Sequence, residues 1–119
     1  MPADGILTMT GTGKAGTAFL GHGMGKMDGP ATVKLRVRSA SGGAGQIDCY
    51  PNGLGDESGR NSTFFNVKEG DWHELTVDIS ARGPLGTMRL FLPATSDKPV
   101  EIDSIEVTPA NRSAQRWDF

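Results

Sequence analysis

Arginine and aromatic side chains, spaced along short apolar stretches, are the residues of this sequence best suited to ligand chemistry. Sugar binding needs flat rings that stack on pyranose surfaces and planar polar groups that bond the hydroxyls. Both could be supplied by Arg36, Arg38, Asp48, Tyr50 and Trp72. A second interpretation keeps Trp72 out of any site, as a plug at the edge of the core after a turn at Gly70-Asp71. The sequence leaves both interpretations of Trp72 open.

Three carboxylates, Asp4, Glu101 and Asp103, form a candidate calcium site. Calcium takes oxygen ligands, which a sandwich can supply from carboxylates and exposed carbonyls. The site requires that the first and last strands pair, because Asp4 precedes the first and the other two lie in the last. In the alternative interpretation, Asp103 only accepts hydrogen bonds from backbone amides at an irregularity of its strand. We expect no required cofactor and keep structural calcium as an open alternative.

The sequence contains no complete catalytic or cofactor-binding motif. Residues 11–16 match G-x-G-x-x-G, but the glycines that follow predict no helix N-terminus to hold a pyrophosphate. His22 and His73 lie too far apart for a zinc-ligand spacing, and no G-x-S-x-G sequence is present. Cys49 is the only cysteine, which excludes an internal disulfide. We expect the chain to be noncatalytic.

Alternating apolar residues predict an all-β protein of about eight strands, arranged as an antiparallel β-sandwich. In the clearest strand, 31–38, apolar side chains alternate with Lys34, Arg36 and Arg38. The other predicted strands are 6–10, 17–20, 46–50, 62–67, 72–79, 87–92 and 100–107. Strands 31–38 and 46–50 are expected to form a hairpin. The apolar phase shifts within the last strand, which predicts a bulge at Asp103-Ser104.

Strand 46–50 assigns its residues to two faces. Ile47 and Cys49 should point into the core, because side chains alternate along a strand. Gln46, Asp48 and Tyr50 then share the outer face. This face is a candidate polar and aromatic surface.

Length and charge narrow the class of protein further. The 119 residues predict one sandwich domain at 1–110, followed by a tail at 111–119. A net charge of −2 gives no basic surface for phosphates, so nucleic acid is not an expected partner. The sequence also lacks an apolar run long enough to cross a membrane, and we expect no membrane partner.

Several segments together identify a family resemblance. They are residues 29–38 (GPATVKLRVR), 70–72 (GDW), 83–86 (GPLG), 90–93 (LFLP), 99–105 (PVEIDSI) and 115–119 (QRWDF). Together they resemble the C-terminal accessory domain of planctomycete-type secreted sulfatases. The resemblance covers nearly the whole chain. Its motifs are structural, and none of them is catalytic.

This resemblance implies a jelly-roll sandwich similar to galactose-binding-like carbohydrate-binding modules, attached in cis to a sulfatase catalytic domain. It does not imply sulfatase activity, because the segment from Cys49 to Gly53 has glycine where the sulfatase motif C-x-P-x-R has arginine. In such a domain Arg36, Arg38 and Arg60 would meet the sulfates of a polysaccharide. The parent protein would then be periplasmic or extracellular.

Two functions from different classes remain open. The chain is either a noncatalytic module that binds a sulfated polysaccharide, or a structural domain that packs on the catalytic domain with no ligand of its own. The low aromatic content favours the structural domain. The basic face of strand 31–38, which is expected to be exposed to solvent, favours the binding module.

Overall fold

The computed structural model describes residues 7–9, 18–23, 27–52, 59–93 and 98–118. These ranges contain nine β-strands and no helix. The strands are β1 (Leu7–Met9), β2 (Ala18–Gly23), β3 (Asp28–Ser39), β4 (Gly43–Tyr50), β5 (Asn61–Val67), β6 (His73–Pro84), β7 (Thr87–Leu92), β8 (Val100–Pro109) and β9 (Gln115–Asp118). The all-β prediction is confirmed. No membrane-spanning helix occurs within the described ranges.

The strands form two antiparallel sheets. Sheet A has the order β1-β8-β3-β6, with β9 also paired to β8, and sheet B has the order β2-β7-β4-β5. Successive strands therefore alternate between the sheets over most of the chain, which is the jelly-roll arrangement of an antiparallel sandwich. The predicted fold class is confirmed.

The predicted hairpin between strands 31–38 and 46–50 is wrong. β3 pairs with β6 and β8 in sheet A, whereas β4 pairs with β5 and β7 in sheet B. The short turn after Ser39 carries the chain from one sheet to the other. Two alternating strands joined by a short turn can either pair in one sheet or lie in two facing sheets. The sequence pattern is the same in both cases, because each requires only that the chain reverses its direction.

The core lies between the two sheets and follows the predicted alternation. In sheet A it takes Val33, Leu35 and Val37 from β3, and in sheet B it takes Ile47 and Cys49 from β4. The apolar residues of β6, β7 and β8 complete it. The side chains between these positions face outward, so each sheet presents one outer face that can bind a partner.

A bulge interrupts β8 where the sequence predicted it. Arg36 of β3 pairs with Ser104, and the next residue, Val37, pairs with Ile102. Asp103 is therefore the extra residue of the bulged strand, and two residues oppose one on β3. This bulge places the Asp103 carboxylate on the outer face of sheet A.

Part of the predicted tail is a strand. Within 111–119, the residues of β9 pair with β8, and Trp117 is the register partner of Ile105. Trp117 is half-buried and packs against the core. The domain boundary at residue 110 stays a prediction.

Candidate functional site

The predicted site residues lie on two different faces of the sandwich. Arg36, Arg38, Glu101 and Asp103 lie on the outer face of sheet A, next to Trp72, which directly precedes β6. Asp48 and Tyr50 belong to β4 of sheet B, and Arg60 is an exposed residue directly before β5 of the same sheet. Asp4 lies outside the described residues. One site cannot include all of these side chains.

On sheet A, Arg36 and Arg38 of β3 each contact a carboxylate of the neighbouring strand β8. Arg38 donates from Nε to Glu101 Oε1 at 2.8 Å, and its Nη2 lies 2.7 Å from the same oxygen. Arg36 Nε lies 3.2 Å from Asp103 Oδ2, and these two side chains are 45% and 43% exposed. The positive charges are thus balanced within the sheet, so a sulfate would have to compete with a carboxylate for each guanidinium.

Trp72 completes this group, which we call the arginine–tryptophan cluster (Arg36, Arg38, Trp72, Glu101 and Asp103). The guanidinium carbons of Arg36 and Arg38 lie 5.5 and 4.9 Å from the centroid of the indole ring. Both distances are within the range of a cation–π interaction. The half-buried indole therefore packs against charged side chains of the outer face, and it is not the core-edge plug of the alternative interpretation.

The strand pairing that a calcium site requires is present. β1 pairs with β8, and Thr8 is the register partner of Glu101. Both β8 carboxylates, however, already contact arginines, and the described residues contain no group of three or more histidine, cysteine, aspartate or glutamate side chains able to hold a metal ion. Calcium would have to replace a guanidinium here, and the calcium site stays a prediction.

Sheet B presents a line of side chains across three adjacent strands. Phe64 of β5 and Phe91 of β7 are both register partners of Gln46 on β4. Phe64 is 71% exposed, and Phe91 is half-buried. We call Phe64, Gln46 and Phe91 the aromatic row. It offers two ring positions with a planar amide between them.

A second line, the charged row of Ser62, Asp48 and Arg89, runs beside the aromatic row. Asp48 of β4 is the register partner of both Ser62 and Arg89. Its side chain is only 3% exposed, and its Oδ1 accepts a hydrogen bond of 2.7 Å from Gln46 Nε2. A buried carboxylate needs such donors, because burial without them is costly. Asp48 therefore orients the Gln46 amide.

Tyr50 is not available in the way the sequence suggested. It is 6% exposed, so its ring cannot stack on a sugar at the surface. The guanidinium of Arg89 lies 5.8 Å from the ring centroid. Tyr50 thus supports Arg89 of the charged row and is not a platform itself.

Cys49 lies on the opposite side of β4, in the core. Burial, and to a smaller extent the nearby negative charge of Asp48, raise the pKa of its thiol from 9.0 to about 11. A thiol with so high a pKa is a poor nucleophile at neutral pH, because the thiolate is the reactive form. Cys49 acts as a core residue.

The sequence prediction missed Phe64, Phe91 and Arg89 as site residues. Phe91 lies out of phase with the core residues Leu90 and Leu92, which could have placed it on the outer face. Phe64 precedes a second phenylalanine, and alternation alone does not say which of the two is exposed. Their alignment with Gln46 depends on the strand order, which the sequence does not contain.

No family model matches this sequence, and no curated protein matches it either. Among solved structures, the fold is similar to that of PfGH50B, a glycoside hydrolase family 50 chain. The TM-score is 0.52 and the sequence identity is 11%, over 82% of this chain and 19% of that chain. At this identity the similarity shows the fold alone. The chain matches about one fifth of a longer protein.

Proposed function

We propose that this chain is a noncatalytic carbohydrate-binding domain and that its ligand site is the outer face of sheet B. The observation that carries the proposal is the exposure of Phe64, in line with Gln46 and Phe91. Apolar rings prefer burial, so a phenylalanine that is 71% exposed on a rigid strand favours a partner that covers it.

The chemistry of the two rows suits a sugar. Phenyl rings stack on the CH-rich faces of pyranoses, and the Gln46 amide can donate to and accept from hydroxyl groups. Arg89, at the neighbouring register position, adds a planar donor group. These groups stand on strands that are hydrogen-bonded on both sides or backed by the core, so little ordering is lost on binding.

The similarity to a fifth of a glycoside hydrolase chain supports a carbohydrate-related role for this fold. The resemblance to sulfatase accessory domains extends the proposal to a sulfated polysaccharide as ligand and a sulfatase catalytic domain in cis. The domain would then raise the local substrate concentration for its neighbour, since linked sites act at high effective concentration. Arg60 and Arg89 are the arginines of sheet B that could meet sulfates.

A structural domain without a ligand is the second candidate. It is favoured by the burial of Tyr50 and by the pairing of Arg36 and Arg38 with carboxylates. In that case Phe64 would be covered by a neighbouring domain. The two candidates differ in whether the isolated chain binds any glycan.

A titration of the chain against polysaccharides tests the proposal. Each polysaccharide is used in its sulfated and its chemically desulfated form, and calorimetry follows binding to the wild type, Phe64→Ala and Thr76→Ala. Thr76 is an exposed residue of sheet A and serves as the control. We expect saturable binding that Phe64→Ala weakens about tenfold and Thr76→Ala leaves unchanged.

Each other result has a defined meaning. Weaker binding after desulfation supports a sulfated ligand. Equal binding of the two forms would mean that the domain recognises the sugar rings and hydroxyl groups of the polysaccharide and not its sulfates. A folded domain that binds none of the polysaccharides refutes glycan binding and favours the structural domain.

A further inference from the structure

We infer that the aromatic row binds a single linear polysaccharide chain, which lies across the strands of sheet B and is recognised along its length. The inference rests on the proposed function and adds the direction, the physical form and the minimum length of the ligand.

The direction follows from the register. Phe64, Gln46 and Phe91 lie at paired positions on three adjacent strands, so the row runs perpendicular to the strands. Neighbouring strands are about 4.8 Å apart, which separates the two phenylalanine positions by roughly 10 Å. One pyranose ring is too short to cover both positions. Adjacent rings of a glycan are spaced by about half this distance, so three linked rings place the first and third sugars over the two phenylalanine positions and the second over Gln46. The register continues to Phe19 on β2.

The Gln46 amide explains why the occupant must be polar between the two rings. The amino group of Gln46 faces Asp48, because its Nε2 donates to Asp48 Oδ1 at 2.7 Å. The amide oxygen and the second N–H are then left for the ligand. An apolar partner would bury them without a hydrogen bond, which is unfavourable because they would lose their bonds to water. Sugar hydroxyls satisfy both groups.

The size of the apolar surface argues against a protein partner. Phe64 is the only exposed large hydrophobic residue among those whose burial the structure describes, which leaves out most of β1 and β2. Stable protein interfaces bury about 800 Å² on each side around a core of apolar anchors. A narrow row with one exposed ring fits a chain-shaped ligand better than a broad protein surface.

The twist of the sheet selects the physical form of the polysaccharide. Adjacent strands are rotated by about 20–25°, so the positions of Phe64 and Phe91 differ by roughly 40–50°. A crystalline polysaccharide presents a flat surface, which would need coplanar rings. A free chain can rotate about its glycosidic bonds and follow the twist. The row therefore suits a soluble chain.

A ladder of oligosaccharides tests the inference, prepared from whichever polysaccharide binds and measured by calorimetry on the full chain. We expect the monosaccharide to bind at least about tenfold more weakly than the tetrasaccharide, and the affinity to level off once the row is covered. Phe64→Ala and Phe91→Leu should each weaken tetrasaccharide binding about tenfold. Phe91→Leu keeps an apolar side chain, which protects the fold, and Thr76→Ala is the matched control.

Two results would overturn the inference while leaving glycan binding intact. One is equal affinity for the monosaccharide and the tetrasaccharide, which would indicate a pocket for a single sugar. The other is capture by the crystalline form of the polysaccharide without binding of soluble oligosaccharides. A folded chain that binds no glycan at all would refute both the proposed function and this inference.

Discussion

The two outer faces of the sandwich use the same residue types in opposite ways. Each face brings arginine, carboxylate and aromatic side chains together on neighbouring strands. On sheet A the Arg36–Asp103 pair is exposed, and the aromatic Trp72 is packed beneath guanidinium groups. On sheet B the carboxylate of Asp48 is 3% exposed, and the aromatic Phe64 is 71% exposed.

On sheet A the charged and aromatic side chains contact one another, whereas sheet B leaves an aromatic side chain exposed for a partner. In the arginine–tryptophan cluster every charge has an opposite charge and the indole already has cations on its face. On sheet B the buried Asp48 orients Gln46, and most of the neighbouring Phe64 is exposed to solvent. Removing one partner of an exposed ion pair costs little stability, whereas removing one partner of a buried polar group costs much more, because the other partner is left unpaired.

The largest effect is expected where sheet B meets the connection from sheet A. Gly86, at φ +68°, lies against the backbone of Tyr50 and Pro51, and a Cβ there would collide with the Tyr50 carbonyl oxygen. Gly86→Ala should lower the free energy of unfolding by about 4 kcal/mol, from left-handed strain plus the clash. Urea unfolding followed by fluorescence measures it.

The matched control is Gly83→Ala, three residues earlier. Gly83 also has a positive φ, of +83°, but a Cβ there would meet no atom within 4 Å. Only the conformational cost remains, about 1–2 kcal/mol. Equal losses in the two variants would show that the contact with Tyr50 does not constrain the end of sheet B.

The next effect compares a buried carboxylate with an exposed one. Asp48→Ala leaves the Gln46 amino group without its acceptor and Arg89 without its in-register carboxylate, so we expect a loss of about 3 kcal/mol. Asp103→Ala should cost less than about 1 kcal/mol, because that pair is exposed. Chemical denaturation of both variants gives the difference. Similar losses would contradict the contrast between the two faces.

The arrangement of sheets and faces shows how far sequence reasoning extends. Alternation in 31–38 correctly predicted which side chains are buried, and the phase shift around Asp103 correctly predicted the bulge. In 46–50 it correctly placed Ile47 and Cys49 in the core, but it did not predict the burial of Asp48 and Tyr50. These features are local, since side-chain direction follows from position along one strand.

The candidate site could not be predicted in the same way. The residue types suggest Arg36 and Asp48 as members of one sugar site, and the turn between their strands predicts that these strands pair. The chain instead crosses between sheets after Ser39, so the two residues lie on different sheets. The alignment of Phe64 with Phe91 joins strands that are distant in sequence. Strand order is decided by the packing of the whole core, and no local pattern records it.

A third effect concerns the interior of sheet B and depends on pH. The folded state holds the pKa of Cys49 at about 11, against an ordinary value of 9.0. Below pH 9 the thiol is protonated in both states, and the pH has no effect through this group. Between pH 9 and 11 only the unfolded state loses the proton, so stability should fall by about 2–3 kcal/mol.

Cys49→Ala isolates that contribution from other groups that titrate at high pH. The variant is less stable overall, but its stability should decline less than that of the wild type between pH 9 and 11. Parallel declines would mean that the thiol is not shielded as the structure indicates. No cysteine lies under the described face of sheet A, so this pH dependence belongs to sheet B.

The smallest effect is expected within the arginine–tryptophan cluster. A double-mutant cycle of Arg38→Ala and Glu101→Ala measures their coupling, which should be below about 1 kcal/mol and decrease in 1 M salt, because water and ions reach side chains that are 40% and 24% exposed. Trp72 fluorescence, read in a Trp117→Phe background, should change on removal of Arg38, whose guanidinium lies 4.9 Å from the ring centroid. A coupling above 2 kcal/mol that persists in salt would mean that the indole shields these charges from solvent. Sheet A would then be a rigid, preorganised surface like sheet B, and this would contradict the assignment of ligand binding to sheet B alone.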